Sequence, residues 1–144
     1  MTVGSGAFVS GTNAGWAYNN FPYMGDNFLP PILLDESLYT INKLFNDIGF
    51  IQFFHRLLAT LTLIYVLITF FHLFKSKLKA IYFLAALVTV IAISQYLLGV
   101  IMLKLFVPIH LGLSHQLGSL ILLSSLIITK CEIVKRRAIN RPSF

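Results

Sequence analysis

His55 and His115 are the residues of this chain best suited to chemistry. His55 stands in Gln52-Phe53-Phe54-His55-Arg56-Leu57-Leu58-Ala59 and His115 in Leu113-Ser114-His115-Gln116-Leu117-Gly118-Ser119. Each lies about two turns into a long apolar stretch. An ionisable ring is costly inside lipid, so it is expected to face the protein interior and a partner. One such histidine is an ordinary packing device between helices. Two at equal depth on different helices point instead to a shared ligand, and two imidazoles can bind both faces of a heme iron. Zinc fits less well, because it wants three or four ligands and no carboxylate or cysteine lies at that depth.

Neighbouring residues suggest supporting roles. Gln52 and Gln116 could hold the free ring nitrogens, and Arg56 could meet a heme propionate or snorkel to the interface. Ala59, Gly118 and Ser119, one turn inward, offer clearance for a porphyrin or for plain helix packing. His72 follows His55 by 17 residues, about 25 Å along a helix, and is read as interfacial. His110, beside Pro108, is read as a turn residue. Gln95 is expected to act as packing glue, with Gly99 allowing close helix approach. Asp26, Asp35, Glu36 and Asp47 precede the apolar stretches and Glu132 follows them. A general acid or base buried in the membrane is therefore not expected.

The elements that must position the histidines are membrane helices. Of 144 residues 57% are hydrophobic and only 11% charged, with a mean hydropathy of +0.81, far from a soluble domain. Spans are predicted over 48–74, 80–103 and 111–130, each about 20 residues or longer. Met1–Gly15 lacks the pattern of a signal peptide. The net charge of +6 is concentrated in Lys75, Lys77 and Lys79 and in Lys130, Lys135, Arg136, Arg137 and Arg141. Both clusters fall on one side under alternating topology, which reads as an orientation signal toward the cytoplasm rather than as a nucleic-acid surface. A single Cys131 excludes an intrachain disulfide and is read as inert.

Three regions follow. Residues 1–47 are predicted to be an extracytoplasmic loop, rich in Gly and Pro, with a short interfacial helix from Asp35 to about Asn46 that places Leu38, Ile41, Leu44 and Phe45 on one face. Trp16, Tyr18, Phe21, Tyr23 and Phe28 suit a membrane interface. Residues 48–130 are predicted to be a three-helix transmembrane bundle and 131–144 a basic cytoplasmic tail. The fold class is thus an all-α membrane protein with three transmembrane helices.

Several segments together carry a family resemblance: Gly6-Ala7-Phe8-Val9-Ser10-Gly11, Ala14-Gly15-Trp16-Ala17-Tyr18-Asn19-Asn20-Phe21-Pro22-Tyr23-Met24-Gly25, Pro30-Pro31, Gln52-Phe53-Phe54-His55-Arg56, Gln95-Tyr96-Leu97-Leu98-Gly99 and Ser114-His115-Gln116. In this order they resemble the second half of heme A synthase. That family is an eight-helix membrane enzyme of two similar four-helix bundles, which oxidises a methyl group of heme O to a formyl group. The resemblance implies that His55 and His115 hold a heme b through its iron. It implies too that the substrate heme and an important glutamate belong to a first bundle not seen here. With three spans where the family's half has four, the resemblance implies a partial four-helix heme-binding bundle, and the chain is read as a split or truncated member, or a gene remnant.

The expected function is therefore the carboxy-terminal, heme b-binding part of heme A synthase, an oxidoreductase. Its expected surroundings are a bacterial inner membrane and its lipid, heme, and a partner chain carrying the amino-terminal bundle or a second copy. The competing expectations are a small bis-histidine membrane cytochrome for electron transfer and a non-functional fragment.

Overall fold

In the computed structural model, residues 1–34, 41–74 and 79–139 are described. The expected cap at Asp35, together with Leu38, Lys75, Lys77 and Arg141, lies outside them. Three long helices dominate: α3 (Ile48–Phe74), α4 (Lys79–Lys104) and α5 (Ile109–Ile139). Short helices α1 (Thr2–Gly11) and α2 (Ile41–Asn46) precede them. All three long helices have the length and apolarity to cross a membrane, and the protein is an integral membrane protein.

Local signals set the helix boundaries. Asp47 separates α2 from α3, and its carboxylate Oδ1 accepts from the Phe50 amide at 2.7 Å, an N-terminal cap. Pro108 leads into α5, its carbonyl accepting the Gly112 amide at 3.0 Å. At the far end, Glu132 pairs with Arg136 one turn on, and α5 continues past the predicted end at Lys130.

Lipid offers helices little hydrophobic reason to associate, so contact depends on close packing and polar groups. Large apolar side chains such as Tyr65, Phe71 and Phe83 accordingly stay exposed along the helices. Val66, Val88 and Ala92 form a small core, covered by Leu63, Leu122 and Leu126. Nearer the histidines, the Gln95 amide on α4 fills the space that a Cβ on Gly118 of α5 would need. The Gln95 side chain packs between α4 and α5, where its buried Oε1 has no hydrogen-bond partner among the described residues.

The first residues depart from the expected loop. Gly4, Gly6 and Gly11 lower helix propensity, yet Thr2–Gly11 is helical and packs on α3. Thr2 Oγ1 and Thr62 Oγ1 share a hydrogen bond of 2.6 Å. Tertiary contact overrides propensity here. The helix ends where Thr12 amide and hydroxyl both donate to the Phe8 carbonyl, at 3.0 and 2.8 Å. Asn13 then turns left-handed at φ 57°, a conformation that asparagine tolerates.

Residues 12–34 fold into a cap across the histidine-bearing end of the bundle. Short 3-10 turns at Ala14–Trp16 and Pro31–Leu33 flank a tight turn closed by the Met24 amide on the Asn27 carbonyl at 2.6 Å. Gly25 supplies that turn's positive φ of 73°, which a side chain would resist. Ala14 and Met24 are buried beneath it. The cap reaches α4 as well, since Asn19 Nδ2 donates to the Leu103 carbonyl at 3.0 Å. At Gly49 the Tyr18 ring comes within 2.9 Å of where a Cβ would sit, so only glycine lets the cap lie this close to α3.

The link from α4 to α5 is a four-residue turn. Phe106 and Val107 both take positive φ, 59° and 54°, and the Val107 amide donates back to the Met102 carbonyl at 2.9 Å. A non-glycine residue in this region carries strain of about 1–3 kcal/mol. Phe106 is largely exposed. Replacing Phe106 with glycine should therefore raise stability by about 1 kcal/mol, read as a higher unfolding midpoint in detergent. A lowered midpoint would show that the turn is not strained.

Candidate functional site

His55 lies seven residues after the start of α3 and His115 six after the start of α5, about 10 Å down each helix. The two helices begin at the same end of the bundle, so the rings share one level. The helices running the other way each bring a glycine to that level. Gly6 is five residues before the end of α1, and Gly99 five before the end of α4.

Those glycines and histidines meet in the same way twice. A Cβ on Gly6 would lie 3.1 Å from His55 Cε1, and one on Gly99 would lie 3.1 Å from His115 Cε1. Each imidazole is thus seated edge-on against a glycine, His55 on α1 and His115 on α4. The pair α1–α3 and the pair α4–α5 repeat one device, although a long capped segment joins the first pair and a four-residue link the second. Around the ring, α1 packs on α3 and also reaches α5, where Gln116 Nε2 meets Ser10 Oγ at 3.4 Å. At this level the bundle has four helices.

The ring nitrogens differ in their partners. His55 Nδ1 is 2.9 Å from Ser5 Oγ on α1, whereas the buried His115 Nδ1 has no hydrogen-bond partner among the described residues. Neither glutamine takes the position expected for it. Gln116 reaches α1 instead, and Gln52, only 2% exposed, donates from Nε2 to the carbonyls of Gly15 and Tyr18 at 3.0 and 3.1 Å.

Arg56 joins this same tie. Its Nη2 donates to the Tyr18 carbonyl at 2.8 Å and to Gln52 Oε1 at 3.1 Å, and its Nη1 donates to the Tyr23 carbonyl at 3.1 Å. The guanidinium lies 5.9 Å from the centre of the Phe21 ring, and Phe21 meets Tyr96 edge-on. Tyr96 OH in turn reaches Thr60 Oγ1 at 3.1 Å. Backbone carbonyls of an irregular segment thereby find donors where lipid supplies none. The Arg56 Nη donors found here serve the cap; only Nε is buried without a partner.

The remaining histidines stand apart. His72 is exposed near the far end of α3, and His110 is exposed in the first turn of α5. Among the described residues no cluster of three or more His, Cys, Asp or Glu could hold a metal ion, so imidazole ligation would come from the pair alone. Sequence reasoning missed Ser5 and Gly6 because Met1–Gly11 was read as loop. The matching offsets of Gly6 and Gly99 from their helix ends were the available signal.

Residues 1–127 match the family described as cytochrome oxidase assembly protein, COX15-CtaA. The chain belongs to that family. It is 39% identical over 131 residues to the heme A synthase of Wolbachia sp. subsp. Brugia malayi, covering 91% of this chain and 37% of that protein. Against the heme A synthase of Rickettsia prowazekii it is 37% identical over 122 residues, 85% of this chain and 36% of that one. Against heme A synthase COX15 of Mus musculus it is 38% identical over 126 residues, 86% and 30%. The chain therefore spans about a third of the length of these relatives. No solved structure matches it.

The tie between Arg56 and the cap is open to direct measurement. Arg56→Met leaves the Tyr23 carbonyl without this donor and weakens the hold on Tyr18, a loss of about 1–3 kcal/mol per orphaned group. Protease should then cut within residues 12–34 faster than in the parent chain. Arg56→Lys should restore protection only in part, because a point charge cannot bridge two carbonyls as a fork does. Equal cutting of all three proteins would remove Arg56 from this role.

Proposed function

We propose that this chain is the carboxy-terminal, heme b-binding part of a heme A synthase. It would act in heme A biosynthesis by contributing to oxidation of the heme O methyl group to a formyl group. The observation that carries the reading is the repeated seat: two imidazoles at one level, on α3 and α5, each set against a glycine of the neighbouring helix. The family membership of residues 1–127 supports it.

The residues present fit a heme. A low-spin heme asks for two axial imidazoles and no further protein ligand. His55 and His115 are such a pair, each imidazole held with its Cε1 edge against a glycine of a neighbouring helix. Bound heme b would supply one-electron transfer. His55 and His115 would hold its iron, while Gln52 and Arg56 keep the cap closed over that end and limit water entry. Gln116 links α5 to α1 beside the pair.

In the orientation we propose, the histidine end faces outward in a bacterial inner membrane. Lys79, Lys130, Lys135 and Arg136 gather at the opposite end, which suits the cytoplasmic side. Methyl oxidation would need a partner carrying the amino-terminal bundle, or a second copy of this chain. A second reading is an electron-carrying cytochrome, for which a pair of axial imidazoles would suffice without a catalytic acid.

The test is optical. The full chain, purified with heme b, should show a low-spin spectrum, and His55→Ala or His115→Ala should each abolish it. An unchanged spectrum in either variant would refute the ligand assignment. Heme A formation only on co-expression with an amino-terminal bundle favours the synthase reading; redox cycling without it favours the cytochrome.

A further inference from the structure

The two histidines are held unequally, and the inequality can be traced to one proton. Ser5 Oγ lies 2.8 Å from the Thr2 carbonyl and 2.9 Å from His55 Nδ1. A carbonyl only accepts, so the single hydroxyl proton goes to Thr2. Ser5 Oγ is left as an acceptor, and His55 must donate to it from Nδ1. That fixes His55 as the Nδ1–H tautomer, with the lone pair on Nε2, the form in which an imidazole binds a metal. Among the described residues His115 has no equivalent of Ser5, since its Nδ1 finds no partner there.

We infer that Ser5 is a positioning residue which makes His55 the held axial ligand and leaves His115 the exchangeable one. This rests on the reading of both histidines as heme ligands. Donation from Nδ1–H to an acceptor orients the ring and raises its basicity. A more basic imidazole binds iron more firmly and favours the ferric state. The α1 helix thus contributes to the site through the second sphere of one ligand alone. Gly6, next in sequence, supplies the clearance that lets Ser5 reach the ring.

Heme b-loaded full-length chain in detergent provides the test, read by midpoint potential and by the rate of heme transfer to excess apomyoglobin. Ser5→Ala should raise the potential and speed heme loss roughly tenfold or more, while Ser5→Thr, which keeps a hydroxyl, should return both toward the parent. Independently of Ser5, His115→Ala should retain a high-spin heme that His55→Ala loses. A parent chain without a low-spin spectrum overturns this inference and the heme reading together. A low-spin parent in which Ser5→Ala moves neither quantity overturns this inference alone, as does equal heme loss from the two histidine variants.

Discussion

Polar groups that hydrocarbon excludes are concentrated in the first turns of α3 and α5, and the architecture at that end is organised around housing them. His55, Arg56 and Gln52 lie within two turns on α3, and His115 at the same level on α5. Water cannot satisfy them at that depth, so protein must. The imidazoles are seated on glycine backbone. The guanidinium and the amide are aimed at main-chain carbonyls of residues 15–23. Each solution draws on a segment that would otherwise be poor structure: a glycine-bearing short helix in one case, an irregular loop in the other.

This mutual need explains why residues 1–34 adopt one conformation despite their composition. Alone, α1 is too short and too rich in glycine to persist in water, and the cap has little regular hydrogen bonding. Against α3, Thr2, Ser5 and Gly6 all find specific positions. Gln52 and Arg56 then saturate the Gly15, Tyr18 and Tyr23 carbonyls. The basic half of the bundle is simpler, held by Val66, Val88 and Ala92 with a leucine rim. Lipid-facing helices of this kind carry few distinguishing side chains.

Hydropathy made the spans legible because a helix surrounded by lipid is apolar on every side, leaving length as the main criterion. The level shared by His55 and His115 follows from counting residues from each helix start. Helix α1 was illegible for a physical reason: propensity treats Gly4, Gly6 and Gly11 as breakers, while tertiary packing uses Gly6 as clearance. Partners of Gln52 and Arg56 were hidden for another. They are backbone carbonyls, which carry no side-chain signature, and their placement depends on a fold of residues 12–34 that no periodicity encodes. Gly99 was expected to permit close approach, but the group approaching, His115, emerges only when α4 and α5 are set side by side.

The bond from Asn19 to the Leu103 carbonyl joins positions 84 residues apart. During synthesis the amino-terminal part leaves the ribosome well before α4 is inserted, so this anchor has nothing to grip until most of the chain has been made. Contacts separated so widely in sequence form late because their loop-closure entropy has to be met first. A segment held by so distant an anchor settles late in folding, and through that interval the histidine end of the bundle stays uncovered.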